Sequence, residues 1–493
     1  MLDIADHQQP QRIDVEAVNK KGERPPLYAP RKKIHPKRVF GFFRTFKWWV
    51  MAVTLGIYYV TPWLRWDRGA GAPDQAVLID FAHHRFYFFF IEIWPQEFFY
   101  IAGLLIMAGL GLFLVTSAVG RAWCGYSCPQ TVWTDLFIWV ERFVEGDRSA
   151  RIRLDKAPFS ASKALKRTAK YAIWLVIAAG TGGAWVFYFA DAPTLFRDLF
   201  TLNAASIAYA TVGVLTFTTF VLGGLMREQV CTYMCPWPRI QAAMMDEESL
   251  TVTYREDRGE PRQPFSKNAD WSARGDCIDC NACVAACPMG IDIRDGQQME
   301  CITCALCIDA CDDVMNRIGR PRGLIDYDSV ANDIRRQRGQ ETRLRLFRPR
   351  TVIYFFLWSL IGLGMVYLLL TREDLDINVL HDRNPLFTVL ADGSIRNGYT
   401  FKILNKAREQ RTLTLSASGL PGVTLKVVGS EDLGESPTPF FTVKPDRLAA
   451  FRLLVTVPPG ALTAQSADIQ FLLQEINTGQ TAAYKGQFRG PAR

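Results

Sequence analysis

The chain has 493 residues, 12 Cys, 13 Trp, 32 Phe and a formal net charge of +8, a length that allows two to four domains. Mean hydropathy is near zero, but this averages strongly apolar stretches with densely charged ones. The basic residues flank the apolar segments, which favours a lipid bilayer over nucleic acid as the partner.

The first ~40 residues are polar, basic and Pro-bearing, with no short apolar core ahead of a small-residue cleavage site. The N-terminus is therefore expected to stay in the cytoplasm as a basic arm, residues 1–45. A membrane span needs roughly 20 mostly apolar residues. Five stretches meet that length, at residues 48–64, 98–118, 171–190, 204–225 and 351–370. Residues 1–45 carry ten Lys/Arg, 65–97 three, 119–170 ten and 191–203 only Arg197, and 226–350 are rich in Arg. The positive-inside rule then puts the arm, 119–170 and 226–350 in the cytoplasm. The C-terminal part falls on the far side, the periplasm of a Gram-negative bacterium. Trp48, Trp49, Trp63, Trp94 and Trp185 lie near the expected span ends, as interfacial aromatics do. The run Phe86–Trp94 is too short to cross, and the alternation in Val77–Phe81 suggests a hairpin or interfacial piece.

After the second span come Arg121 and Cys124-Gly-Tyr-Ser-Cys128-Pro129; after the fourth come Arg227 and Cys231-Thr-Tyr-Met-Cys235-Pro236. Arg, Cys, Tyr, Cys and Pro recur in one order, the mark of an internal repeat of a helix pair. On a helix, Cys at i and i+4 share a face, so the two pairs can converge at the inner membrane surface. Soft thiolates select Cu(I), zinc or iron–sulfur, and a dithiol can cycle to a disulfide. Buried packing is the plain alternative, since free Cys is often buried. Residues 46–250 make up this membrane core.

Residues 277–288, CIDCNACVAACP, and 301–311, CITCALCIDAC, share the spacing C-x2-C-x2-C-x3-C. That is the bacterial two-cluster ferredoxin pattern, in which the fourth ligand of each cubane comes from the other run. One [4Fe–4S] cluster is assigned to Cys277, Cys280, Cys283 and Cys311, and the second to Cys301, Cys304, Cys307 and Cys287. Pro288 follows Cys287 as the pattern expects, whereas Asp312 replaces the second Pro. Zinc usually takes two Cys pairs across a longer loop, which two duplicated four-Cys runs fit poorly. A reducing cytoplasm disfavours disulfides. The module spans residues 251–345, ahead of a last span at 351–371.

No expected span contains His; the five are His7, His35, His83, His84 and His381. A haem held by two intramembrane His is thereby excluded. His83 and His84 read as an exposed loop pair. No G-x-G-x-x-G follows a strand, so nothing points to a dinucleotide site. From about 384 the texture changes to short alternating runs at 399–404, 411–416, 424–428, 440–443, 451–457 and 467–473, the pattern of a Cys-free β-sandwich over 384–493. Its expected role is structural support or partner docking.

The order YAPRKKIHPKRVFG, WPQEF, GRAWCGYSCPQTVW, VCTYMCPWPRIQ, the double cluster run with GIDIRDG, and GRPRGLIDYD, then a last span and a β-domain, resembles the FixG/RdxA/CcoG family of cytochrome oxidase accessory proteins. The resemblance implies a bacterial inner-membrane protein, an immunoglobulin-like C-terminal fold, and homodimerisation. It also implies cupric reductase activity, Cu(II) to Cu(I), in assembly of cbb3-type cytochrome c oxidase, with that oxidase or its copper chaperones as partners. On this view electrons enter the clusters from a cytoplasmic reductant or quinol and pass to copper at or near Cys124, Cys128, Cys231 and Cys235; no catalytic residue is assigned. Two rival functions stand beside it: a quinol-linked subunit serving a periplasmic reductase, and a non-enzymatic redox-sensing scaffold.

Overall fold

The computed structural model describes residues 12–19, 32–69, 72–266, 270–407, 409–429, 436, 438–445 and 447–491. His7 and the YAPR start of the arm motif lie outside the described residues. The chain divides into two compact units, Met1–Met365 and Val366–Arg493.

In the first unit, three helices among the described residues are long and apolar enough to cross a membrane: Pro95–Val119, Ser206–Met226 and Pro349–Leu370. This corrects the expectation of five. The other two expected segments, 48–64 and 171–190, are uncharged and lie in the helices Phe42–Val60 and Ala161–Val186, whose buried charges fall just ahead of them. Arg44 and Lys47 lie 2.9 and 3.8 Å from the Asp135 carboxylate. Lys170 lies 3.0 Å from Glu145 and 3.5 Å from Glu141, which also pairs with Arg151 and Arg227. Buried charges need paired protein neighbours rather than lipid. The run Gly180-Thr-Gly-Gly183 further dilutes the second segment.

Helix Phe99–Val119 packs on Pro349–Leu370 through small residues, as membrane helices do. A Cβ on Gly103 would lie 2.5 Å from Met365 Sδ, and one on Gly111 would lie 3.3 Å from Trp358 Nε1. Ala161–Val186 meets Ser206–Thr219 the same way, with Gly182 against the Val212 carbonyl. Residues 77–93 form a three-stranded antiparallel hairpin sheet, Val77–Asp80, Arg85–Phe88 and Ile91–Ile93. His83 and His84 sit exposed at its first turn, with His83 Nδ1 2.7 Å from Asp80.

The cysteine-rich module is framed by the antiparallel pair Thr251–Tyr254 and Ile325–Asp328 and by helices Ala282–Ala286 and Leu306–Arg317. Described parts of the N-terminal arm clamp it. Ile13 N–H donates to the Cys280 carbonyl (2.9 Å), Val18 N–H to that of Gly290 (2.7 Å) and Lys37 N–H to that of Ala285 (2.8 Å).

In the second unit the strand Leu375–His381 precedes the expected 384 boundary and alternates buried and exposed residues along its length. It joins Ile395–Asn405, Arg447–Val457 and Thr424–Val427 in one sheet, with Thr388–Val389 at the side. Arg411–Ser418, Phe440–Val443, Ser466–Glu475 and Thr481–Arg489 form the other. Inward residues of both, including Phe401, Leu415, Val455, Phe471 and Phe488, share one fully buried core, the arrangement of a β-sandwich.

Candidate iron–sulfur and thiol site

The two cysteine runs fold alike. Asp279 and Asn281 in the first, and Thr303 and Ala305 in the second, take positive φ at matched positions between the thiols. Each pair of left-handed residues coils the loop tightly, and a helix then starts, at Ala282 and at Leu306. Four of the thiols, Cys277, Cys280, Cys283 and Cys311, line one cavity together with Arg294. Cys287, Cys301, Cys304 and Cys307 line a second, and Cys283 lies in its wall as well. These are the two ligand sets that the crossed ferredoxin pattern predicts. Among the described residues no three His, Cys, Asp or Glu side chains could hold a single metal ion. The thiols instead surround a space, and a cubane with iron at its corners needs that spacing, whereas one zinc would need convergence. The donor set therefore fits two [4Fe–4S] clusters.

The surroundings by themselves favour the neutral thiol. Burial, followed by repulsion from neighbouring thiols, pushes Cys287 up to about 12. Burial also lifts Cys301 to about 11 and raises Cys307 and Cys311 well above the ordinary thiol value. Such sulfurs ionise only against a compensating cation, which cluster iron supplies. Near the first cavity Arg294 pairs with Asp292 (2.6 Å) and Asp279 (2.8 Å) and donates to Asn281 (2.8 Å). Asp312, where the pattern has Pro, accepts from Gly323 N–H at 2.9 Å and so ties the GRPRG loop to the cluster helix.

The C-x3-C-P motifs depart from the expected continuous helix. The short helix Ala122–Tyr126 ends before Cys128, which is extended (φ −61°, ψ 128°) and precedes the helix Pro129–Glu145. Likewise Cys231 lies in the π-helical turn Val230–Met234, and Cys235 is extended (φ −80°, ψ 125°). Proline disfavours the helical region for the residue before it, so neither pair shares a helix face. The repeat survives in the backbone. Cys128 N–H donates to the Trp123 carbonyl at 2.9 Å and Cys235 N–H to the Val230 carbonyl at 2.8 Å, each reaching the residue before the motif's first Cys.

The motifs also meet the second cavity. Cys124 is buried with Met289, Ile302, Cys304 and Leu306, and Cys231, Cys287 and Cys301 pack alongside. Its Sγ donates to Gln241 Oε1 at 2.9 Å. Burial and the other thiols raise Cys231 to about 12, and Cys124, Cys128 and Cys235 are among the groups acting on it. Tyr126 Oη lies 3.2 Å from Tyr327 Oη, which donates to the Thr303 carbonyl at 2.7 Å, joining the first motif to GLIDYD and to the second cysteine run. Gln241, Arg294 and Tyr327 were not singled out as site residues, although each lies in a family motif, VCTYMCPWPRIQ, GIDIRDG and GRPRGLIDYD.

Three family descriptions match: "4Fe-4S dicluster domain" over residues 226–330, "4Fe-4S binding domain" over 101–146, and "IG-like fold at C-terminal of FixG, putative oxidoreductase" over 365–491. The first two together span both C-x3-C-P motifs. With three apolar helices, the fold and site define a membrane protein of iron–sulfur electron transfer with an immunoglobulin-like C-terminal domain. It is 56% identical to nitrogen fixation protein FixG of Rhizobium meliloti, over 97% of each chain. RdxB and RdxA of Cereibacter sphaeroides are each 54% identical over 94% of this chain, covering 97% and 99% of their own. The chain belongs to the FixG/RdxA family.

Proposed function

We propose that this protein reduces Cu(II) to Cu(I) at the inner membrane in the assembly of cbb3-type cytochrome c oxidase. The observation that carries the reading is the packing of Cys124 against Ile302 and Cys304 in the wall of the second cavity, with Cys231 beside them. Thiols soft enough for Cu(I) thus sit next to an electron store. When bound at the eight module cysteines, the clusters supply one electron each, and one electron converts Cu(II) to Cu(I). The substrate copper binds at or near Cys124, Cys128, Cys231 and Cys235, on two of these thiols rather than all four, since no three converge among the described residues, and the Cys124–Gln241 bond orients the first thiol. The arm and cysteine module face the cytoplasm, and the β-sandwich faces the periplasm as a docking domain for the oxidase or a copper chaperone. A homodimer fits the same role.

The test uses anaerobically purified, reduced protein. Adding Cu(II) should remove the reduced-cluster and Cu(II) EPR signals in equal amounts. A Cys124→Ala/Cys231→Ala variant should retain cluster absorbance and lose copper affinity. Reduced clusters that persist beside unreduced Cu(II) would exclude copper as the acceptor.

A further inference from the structure

A cavity of about 450 Å3 opens beside the second cluster site. Cys301, Val252 and Ile293 line both this cavity and the cluster cavity, so one thiol ligand forms the wall between them. The volume falls within the usual range for a small-molecule pocket. No residue of the proposed copper site lines it.

Two polar atoms of its lining residues are buried without a partner: Arg121 Nε and Gln298 Oε1. Arg121 itself is only 4% exposed. A second bond holds each group in place. Arg121 Nη1 donates to the Met299 carbonyl, and Gln298 Nε2 donates to that of Asp292 at 2.5 Å. Buried polar groups are nearly always satisfied, and an orphan calls for an explanation. Here one orphan is an obligate donor and the other an acceptor. A ligand that satisfies both must present an oxygen to Arg121 and an O–H or N–H to Gln298. Ala242, Val252, Ile293 and Met299 supply apolar wall for a ring between them.

The position adds a third constraint. Arg121 follows directly on the apolar helix that ends at Val119, and Leu250 N–H donates to the Ala118 carbonyl at 3.2 Å. Asp246, in the cavity wall, pairs with Arg348, the residue before the apolar helix Pro349–Leu370. Arg348 also donates to the Ser117 carbonyl. The ends of two long apolar helices therefore meet at this cavity.

We infer that this cavity binds a membrane hydroquinone, the electron donor of the protein. This rests on the iron–sulfur electron-transfer reading above and supplies its missing reductant. The hydroquinone loses two electrons and two protons and leaves as the quinone. The electrons go to the cysteine-bound clusters, one to each. The protons go to the Glu247 carboxylate, exposed in the cavity lining, and from there to water. Arg121 holds the quinone oxygen, and Gln298 accepts from the hydroxyl.

The test uses the full chain in lipid nanodiscs with oxidised clusters, under anaerobic conditions, with decylubiquinol as the probe. Visible cluster absorbance should bleach saturably, with two electrons taken up per chain. Calorimetry should show decylubiquinone binding to the same site, a readout independent of cluster reduction. Gln298→Leu should weaken both constants by roughly tenfold, the loss of one hydrogen bond to a buried group. Val330→Trp, which fills the cavity from the helix Val330–Gln337, should abolish both. Iron content and dithionite bleaching report whether the clusters are in place in each variant, and Val330→Trp is decisive if Gln298→Leu loses iron. Clusters that dithionite reduces but decylubiquinol does not would overturn the hydroquinone and leave the electron-transfer reading standing. Clusters that neither reductant bleaches would overturn that reading itself. Constants unchanged in both variants would place the donor elsewhere.

Discussion

Gly125 and Cys304 touch backbone to backbone. A Cβ on Gly125 would lie 3.0 Å from both the N and Cα of Cys304 and 2.7 Å from the Ile302 carbonyl oxygen. The glycine inside the first C-x3-C-P motif is therefore the space into which the second cysteine run fits. Gly125→Ala should push that run aside, at an overpacking cost of about 1–3 kcal/mol. Iron per chain should fall from about eight toward about four, because each cubane carries four irons. Iron analysis together with cluster EPR checks whether the cluster held by Cys277, Cys280, Cys283 and Cys311 survives alone.

Asp309, on the helix Leu306–Arg317, accepts from Arg44 N–H (2.7 Å) and Phe43 N–H (3.2 Å), the opening donors of the helix Phe42–Val60. That helix has no side-chain cap of its own at Gly41. Asp309→Ala should cost about 1–2 kcal/mol, the usual value of an N-cap. Asp313→Ala, which breaks only an exposed pair with Arg317, should cost a few tenths, as about 0.3–0.5 kcal/mol is typical. Thermal unfolding of the two variants side by side measures the difference.

Glu141 is buried, which alone would raise its pKa. Arg227, then Lys170 and Arg151, overcome that and hold it at about 2 against an ordinary value of 4.5. A depressed carboxylate contributes stability above its unfolded pKa and loses it as pH falls through its folded one. Stability should therefore be level above pH 4.5 and fall between there and pH 2. Glu141→Gln should lower stability at neutral pH and flatten this acid limb. Denaturation midpoints across that range test both effects, and an acid limb of unchanged slope in the variant would count against the assignment.

Asn397 joins the two sheets of the C-terminal unit. Its Nδ2 donates to the Arg489 carbonyl at 2.8 Å, and its Oδ1 accepts from Arg489 N–H at 3.0 Å. The residue is fully buried. Asn397→Ala leaves both backbone groups unpaired, at about 1–3 kcal/mol each. The unfolding step of the β-unit should move down while cluster absorbance stays unchanged, which differential scanning calorimetry with an optical monitor resolves.

The grouping of the eight module cysteines was legible because iron imposes short, fixed spacing on thiolates, and the structure sets those cysteines around two cavities. Six β-strands were legible because alternation marks a face; Leu375–His381 was missed by starting the domain too late, and Thr481–Arg489 was not among the expected runs. The span count differs at Phe42–Val60 and Ala161–Val186, where Trp, Tyr, Gly and Thr lower the mean hydropathy and the flanking Arg44, Lys47 and Lys170 are covered by Asp135, Glu141 and Glu145 on another helix. The C-x3-C-P geometry was misread despite a local signal, since Pro129 and Pro236 already forbade a continuous helix. Gln241 and Asp309 lie inside the motifs VCTYMCPWPRIQ and CITCALCIDAC, but nothing local gives their partners. Their parts come from Cys124, 117 positions away, and from Arg44, 265 positions away.

That last separation bears on how the protein is made. The cap on the helix Phe42–Val60 belongs to a residue that leaves the ribosome long after the helix itself, and the clamp of Ile13 and Val18 on Cys280 and Gly290 closes over a similar span. Contacts so distant in sequence form late in folding. Iron can therefore enter an open cysteine module, and the N-terminal arm latches over it afterwards, so the arm is the final stitch of biogenesis. Chains stalled before Asp309 should bear an N-terminus fully open to protease, and completed, iron-loaded chains should protect it.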